Sequence, residues 1–141
     1  LIVRKGRVQS FNTLQQRLNR KTVTAKMLAE YPAHLIAYDL LVEGGEDLRE
    51  ASFEARRLRL ETLVASLDTD RITLSPLVEF STWDELTAAR AAPASHGAGS
   101  DAEAVEGVMI KRLESPYLAG RPKGHWWKWK RDPFNVDAVL M

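Results

Sequence analysis

EGVMIKR, residues 106–112, and HWWKWK, residues 125–130, decide how this chain is read. Both have the composition of β-strands, in which successive side chains point to opposite faces. Lys128 and Lys130 then share one face of the second run, and Trp127 and Trp129 share the other. Two indoles buried in a core would hold the two ammonium groups toward a cleft, as a rigid platform for phosphate. Glu106 supplies the complementary charge, since a hard cation such as Mg²⁺ is commonly held by one or two carboxylates together with substrate phosphates. The layout points to a phosphorylated nucleotide and its cation. A Lys-x-Lys strand is also a common solvated edge that discourages aggregation, and this reading stands beside the first. Regular alternation puts Lys111 and Glu106 on opposite faces, so one is expected to serve the cleft and the other the fold.

The combination resembles the covalent nucleotidyltransferases, and within them the ATP-dependent DNA ligases of bacterial type. EGVMIKR is similar to the fourth motif of that family, WWKWK followed by RDP to its fifth, and AYDLL at 37–41 to the aromatic motif that precedes them; FNTLQQRLNRK at 11–21 resembles a helical stretch of the bacterial enzymes. The resemblance implies that Tyr38 stacks on the adenine of ATP or AMP, that Glu106 binds Mg²⁺, and that Lys128 and Lys130 contact the nucleotide phosphates. Lys130 is the residue expected to stabilise charge at the α-phosphate. Tyr38 also reads as an ordinary core tyrosine, and Asp39 as a scaffold hydrogen-bonder or a ligand contact. Arg112, Arg121 and Lys123 are secondary candidates for nucleic-acid contact, and Lys111 is a weaker candidate for the cleft.

One departure from the family pattern matters. Its covalently adenylated lysine lies in a Lys-x-Asp-Gly motif, and this chain contains no Asp-Gly dipeptide. The expectation is a fragment that begins just after the second acidic motif and stops within the strand pattern VDAVLM at 136–141. Residues 1–134 would form the C-terminal portion of an adenylation domain, and 135–141 the start of a link to an OB-fold domain. Such a fragment would be inactive alone, although its parent would seal nicks in double-stranded DNA. RNA ligases and messenger-RNA capping enzymes share the motif order and remain as alternatives. So does a non-catalytic nucleic-acid-binding module.

Length and composition are compatible with this reading. The 141 residues, 45% apolar, are enough for one domain with one sizeable core. With no cysteine, disulfide frameworks and thiolate metal sites are excluded, and a reducing cytoplasm is the expected compartment. No twenty-residue apolar run predicts a membrane span. Net charge is only +1, yet seven Lys or Arg fall between Lys111 and Arg131 against the single acidic Glu114, a local basic patch suited to phosphates. His34, His96 and His125 lack metal-ligand spacing.

The expected fold is α+β, a partial nucleotidyltransferase domain with antiparallel-rich sheets flanked by helices. The pattern predicts a strand over 1–8, a helix over 12–19, and a second helix capped by Thr24 and limited by Pro32. It then predicts a doubly covered strand over 34–42 and a helix over 52–66 whose Glu54, Arg57, Arg59 and Glu61 form a solvated face with local ion pairs. A strand ITLSPLV follows, and Thr82 with Glu85 has capping-box spacing before WDELTAARAA. The Pro, Ser, Gly and Ala content of 93–104 predicts an exposed loop. Sheet strands missing from a fragment leave an edge and apolar surface, so self-association is expected.

Overall fold

The computed structural model describes residues 1–18, 20–96, 98–120 and 122–132. The proposed link at 135–141 and the candidate Arg121 lie outside the described residues. The predicted first strand is a hairpin, β1 (Val3–Arg4) against β2 (Arg7–Val8). Lys5 and Gly6 both have positive φ, 51° and 71°, as a two-residue turn between antiparallel strands requires. Helices α1 (Phe11–Leu18) and α2 (Ala25–Glu30) follow, the latter capped by Thr24, whose side chain accepts the Met27 N–H.

The expected strand over 34–42 is regular only as β3 (Leu35–Ala37). Beyond it the Asp39 carboxylate accepts the Leu40 N–H at 2.9 Å and turns inward to two cations, which breaks the alternation. A second tight hairpin, β4 (Val42–Glu43) with β5 (Glu46–Asp47), is made by Gly44 and Gly45. α3 (Phe53–Ser66) begins at the cap Ser52, β6 (Ile72–Leu74) pairs in parallel with β3, and α4 (Trp83–Ala91) starts in the predicted capping box. Residues 93–104 hold two 3-10 turns, and Asp101 accepts the Val8 N–H at 2.7 Å. Pro93 is buried, while Ala94, Ser95, His96, Gly99 and Ala104 are exposed as composition predicted, with 3-10 turns in place of irregular loop. The last elements are β7 (Gly107–Lys111) and its antiparallel partner β8 (Trp126–Lys130).

The architecture is thus α+β with three antiparallel strand pairs and one parallel pair among the described residues. Its core is smaller than composition predicted. Ile2, Leu48, Phe53, Leu60, Leu86 and Ala89 are the buried apolar residues described, whereas Leu58, Leu77, Leu113 and Trp83 are exposed. Arg56 and Arg57 are buried as well, so the predicted solvated face of α3 is corrected: Arg57 pairs with Glu61 at 2.6 Å but points inward, its Nη1 reaching the Ser75 carbonyl. Arg59 keeps the solvated role by bridging Glu43 and Glu46. Among the described residues no helix is long and apolar enough to cross a membrane.

Candidate active site

The β7–β8 hairpin carries the charged residues singled out in the sequence. Its register sets Met109 opposite Lys128 and Gly107 opposite Lys130, with Val108 opposite Trp129 and Ile110 opposite Trp127. Lys128 and Lys130 therefore share a face with Met109 and Lys111, and the two indoles share the reverse. That much follows from strand period. The anchoring of both indoles does not: Trp129 lies under the Arg90 guanidinium, 4.8 Å from ring centre, but Trp127 remains 45% exposed. Arg90 of α4 also donates to the Lys130 carbonyl at 2.5 Å, which fixes the end of β8.

Gly107 permits the close approach of the two strands. Its φ is +151°, and a Cβ there would fall 2.3 Å from the Trp129 carbonyl oxygen and 2.7 Å from the Lys130 Cα. The Arg131 N–H donates to the Glu106 carbonyl at 2.8 Å, extending the pairing past the strand. Glu106 thereby reaches Lys130, carboxylate to ammonium 3.5 Å, with both side chains largely exposed at 84% and 69%. Regular alternation set Glu106 and Lys111 apart; the Gly107 backbone instead brings Glu106 to a lysine of the Lys111 face.

Lys111 turns away from solvent. Its ammonium lies 3.3 Å from the Asp39 carboxylate, and that carboxylate is held from the other side by Arg56, Nε at 2.8 Å and Nη2 at 3.1 Å. Asp39 and Arg56 are almost wholly enclosed, at 4% and 0% exposure of their side chains. Arg56 Nη1 donates to the carbonyls of Ala51 and Ser115, at 2.5 and 3.2 Å. Burial pushes the Asp39 carboxyl up, but the Arg56 hydrogen bonds and the Lys111 charge outweigh it and leave it below its ordinary value. Burial lowers Lys111, and the charges of Arg56 and Arg57 add to this, against the opposing pull of Asp39. Asp39 thus makes scaffold hydrogen bonds, one of the two roles open to it.

Tyr38 is 62% exposed, which removes the reading of a core tyrosine. Its ring centre is 5.0 Å from the Lys111 ammonium, so the ring stands beside the face that carries Lys128 and Lys130. Arg112 and Lys123 are exposed near the far end of the hairpin, where the Arg112 N–H donates to the His125 carbonyl at 3.1 Å. His34 is engaged with the Thr73 hydroxyl at 2.9 Å. An exposed carboxylate beside two exposed lysines suits a cation bridged to phosphates; two concavities lie elsewhere, about 300 Å³ beside Ser10 and Asp101 and about 510 Å³ beside Leu58, Leu77 and Leu113. Arg56 was missed in the sequence. Its partners Asp39 and Ser115 lie seventeen and fifty-nine positions away, so no local pattern marked it.

The described residues form an α+β chain whose β7–β8 hairpin presents lysines and a carboxylate, with the exposed Tyr38 ring near Lys111. The chain belongs to the ATP dependent DNA ligase domain family, whose sequence model matches residues 1–130. The chain is 32% identical to a probable DNA ligase of Sorangium cellulosum over 96% of its own length and 23% of that protein's. It is 31% identical to a DNA ligase of Halobacterium salinarum, over 92% of the chain and 22% of the relative. With the DNA ligase of Archaeoglobus fulgidus the identity is 29%, over 100% of the chain and 24% of the relative. The chain thus spans less than a quarter of the length of these relatives.

Proposed function

We propose that this chain forms part of the adenylate site of an ATP-dependent DNA ligase that seals nicks in double-stranded DNA through enzyme-adenylate and DNA-adenylate intermediates. The observation that carries the reading is the Glu106–Lys130 contact at 3.5 Å on the hairpin face that also presents Lys128, within a chain of the ligase family. Tyr38 stacks on the adenine, an interaction worth about 1–3 kcal/mol per base. Lys128 and Lys130 bind the phosphates, and Lys130 neutralises charge that develops at the α-phosphate during in-line displacement. Glu106 would hold Mg²⁺, which supplies further charge neutralisation and orientation of the phosphates. Arg112 and Lys123 extend the basic surface toward DNA, and Arg121 is proposed from the sequence as a further nucleic-acid contact. The compartment proposed is the cytoplasm, and the fold proposed is a partial nucleotidyltransferase domain.

The chain's lysines lack the Asp-Gly context of the family nucleophile, so the 141 residues alone are expected to form no covalent adenylate. Incubation with ATP labelled at the α-phosphate tests this, and an acid-labile phosphoramidate on the isolated chain would refute it. In a ligase carrying this segment, Lys128→Ala and Lys130→Ala are expected to lower adenylation and nick sealing by two orders of magnitude or more, on the order of 3 kcal/mol of lost transition-state stabilisation. Intact adenylation with uniformly weaker DNA binding would favour a non-catalytic binding module instead. Preference for nicked RNA over nicked DNA would favour an RNA ligase.

A further inference from the structure

Tyr38 is exposed, yet it adjoins a buried polar cluster. Asp39, its neighbour in sequence, is clamped by Arg56 and in turn holds the Lys111 ammonium at 3.3 Å. That ammonium, its side chain only 10% exposed, lies among three aromatic rings: Phe53 at 4.3 Å, Tyr38 at 5.0 Å and Trp126 at 5.8 Å. Phe53 is buried and Trp126 packs on Tyr117 with ring centres 4.9 Å apart, so Tyr38 is the exposed member of the set. A desolvated cation attracts an aromatic ring more strongly than an exposed one. The same lysine belongs to β7, on the face of Lys128 and Lys130.

We infer that Lys111 is a positioning residue: fixed by Asp39, its ammonium holds the Tyr38 ring at the orientation and height from which a nucleobase is stacked while the phosphates reach Lys128 and Lys130. This rests on the proposed stacking role of Tyr38. Lys111 itself touches no part of the nucleotide. Its contribution is to restrict a ring that would otherwise sample several rotamers, so its loss weakens nucleotide capture and leaves the chemical step intact.

The test is the rate of enzyme adenylation against ATP concentration in a ligase carrying this segment, for wild type, Lys111→Met, Tyr38→Ala and the double variant. The expected result is that Lys111→Met raises the half-saturating ATP concentration about three- to tenfold, leaves the maximal rate within about twofold, and has no further effect once Tyr38 is alanine. Additive effects in the double variant, or a lowered maximal rate at unchanged half-saturation, overturn the inference while Tyr38 stacking stands. An unchanged half-saturation in Tyr38→Ala overturns the stacking reading, and the inference with it. Should Lys111→Met fail to fold, proton cross-relaxation between the Lys111 ε-methylene and the Tyr38 ring in the wild-type chain decides: contact is expected, and its absence overturns the inference.

Discussion

Asp39 shows how a single charge can organise a site it does not face. Its carboxylate satisfies Arg56 and Lys111 together, and both cations are out of water. A buried pair is seldom a large net gain in stability, because desolvation offsets the attraction, but removing one partner strands the other. Asp39→Asn is therefore expected to destabilise the chain by about 3–5 kcal/mol in urea unfolding. The pH dependence has a definite sign. The Asp39 carboxyl lies below its ordinary 3.8 in the folded chain, so its contribution is complete above that value and is lost as pH falls through the lower folded one. Asp47, held at about 2 by the Arg49 hydrogen bonds, acts in the same sense from an exposed position. The urea midpoint is expected to fall as pH drops from about 4 toward 2, with a flatter dependence in Asp39→Asn.

At the scale of elements, the β7–β8 hairpin is the unit on which the proposed chemistry depends, and Gly107 is its weakest point. Any side chain there meets the backbone of Trp129 and Lys130, and backbone cannot swing aside. Gly107→Ala is expected to cost about 1–3 kcal/mol from backbone strain and to separate Glu106 from Lys130, measured as a lower melting temperature together with lost adenylation in a ligase carrying it. Elsewhere the elements were legible where they depend on local chemistry. The Thr82–Glu85 capping box formed because both reciprocal hydrogen bonds lie within one helical turn. Strand length was less legible: the apolar run after His34 reads as one long strand, but Asp39 is drawn to partners seventeen and seventy-two positions away.

The molecule as a whole exposes more apolar surface than its composition suggested. Leu58, Leu77 and Leu113 line one concavity at 66, 59 and 56% exposure, and the sheets among the described residues are only two strands wide. Large exposed apolar patches and unpaired strand edges favour association. The isolated chain is expected to self-associate, seen as a sedimentation coefficient that rises with protein concentration; an invariant monomer value over a wide concentration range would count against it. The small apolar core also explains why buried ion pairs carry so much of the packing around α3.

What the sequence determined by itself were properties with short range or fixed period. The shared face of Lys128 and Lys130 and the helix caps at Thr24 and Thr82 follow from strand alternation and from hydrogen bonds between near neighbours. Only the tertiary structure decided which charges are spent on the scaffold. Lys111 and Lys128 look alike in the sequence, yet one is enclosed with Asp39 and Arg56 and the other is left to solvent. That division depends on where residues 39, 56 and 111 meet in space, and no local propensity encodes a contact across such separations.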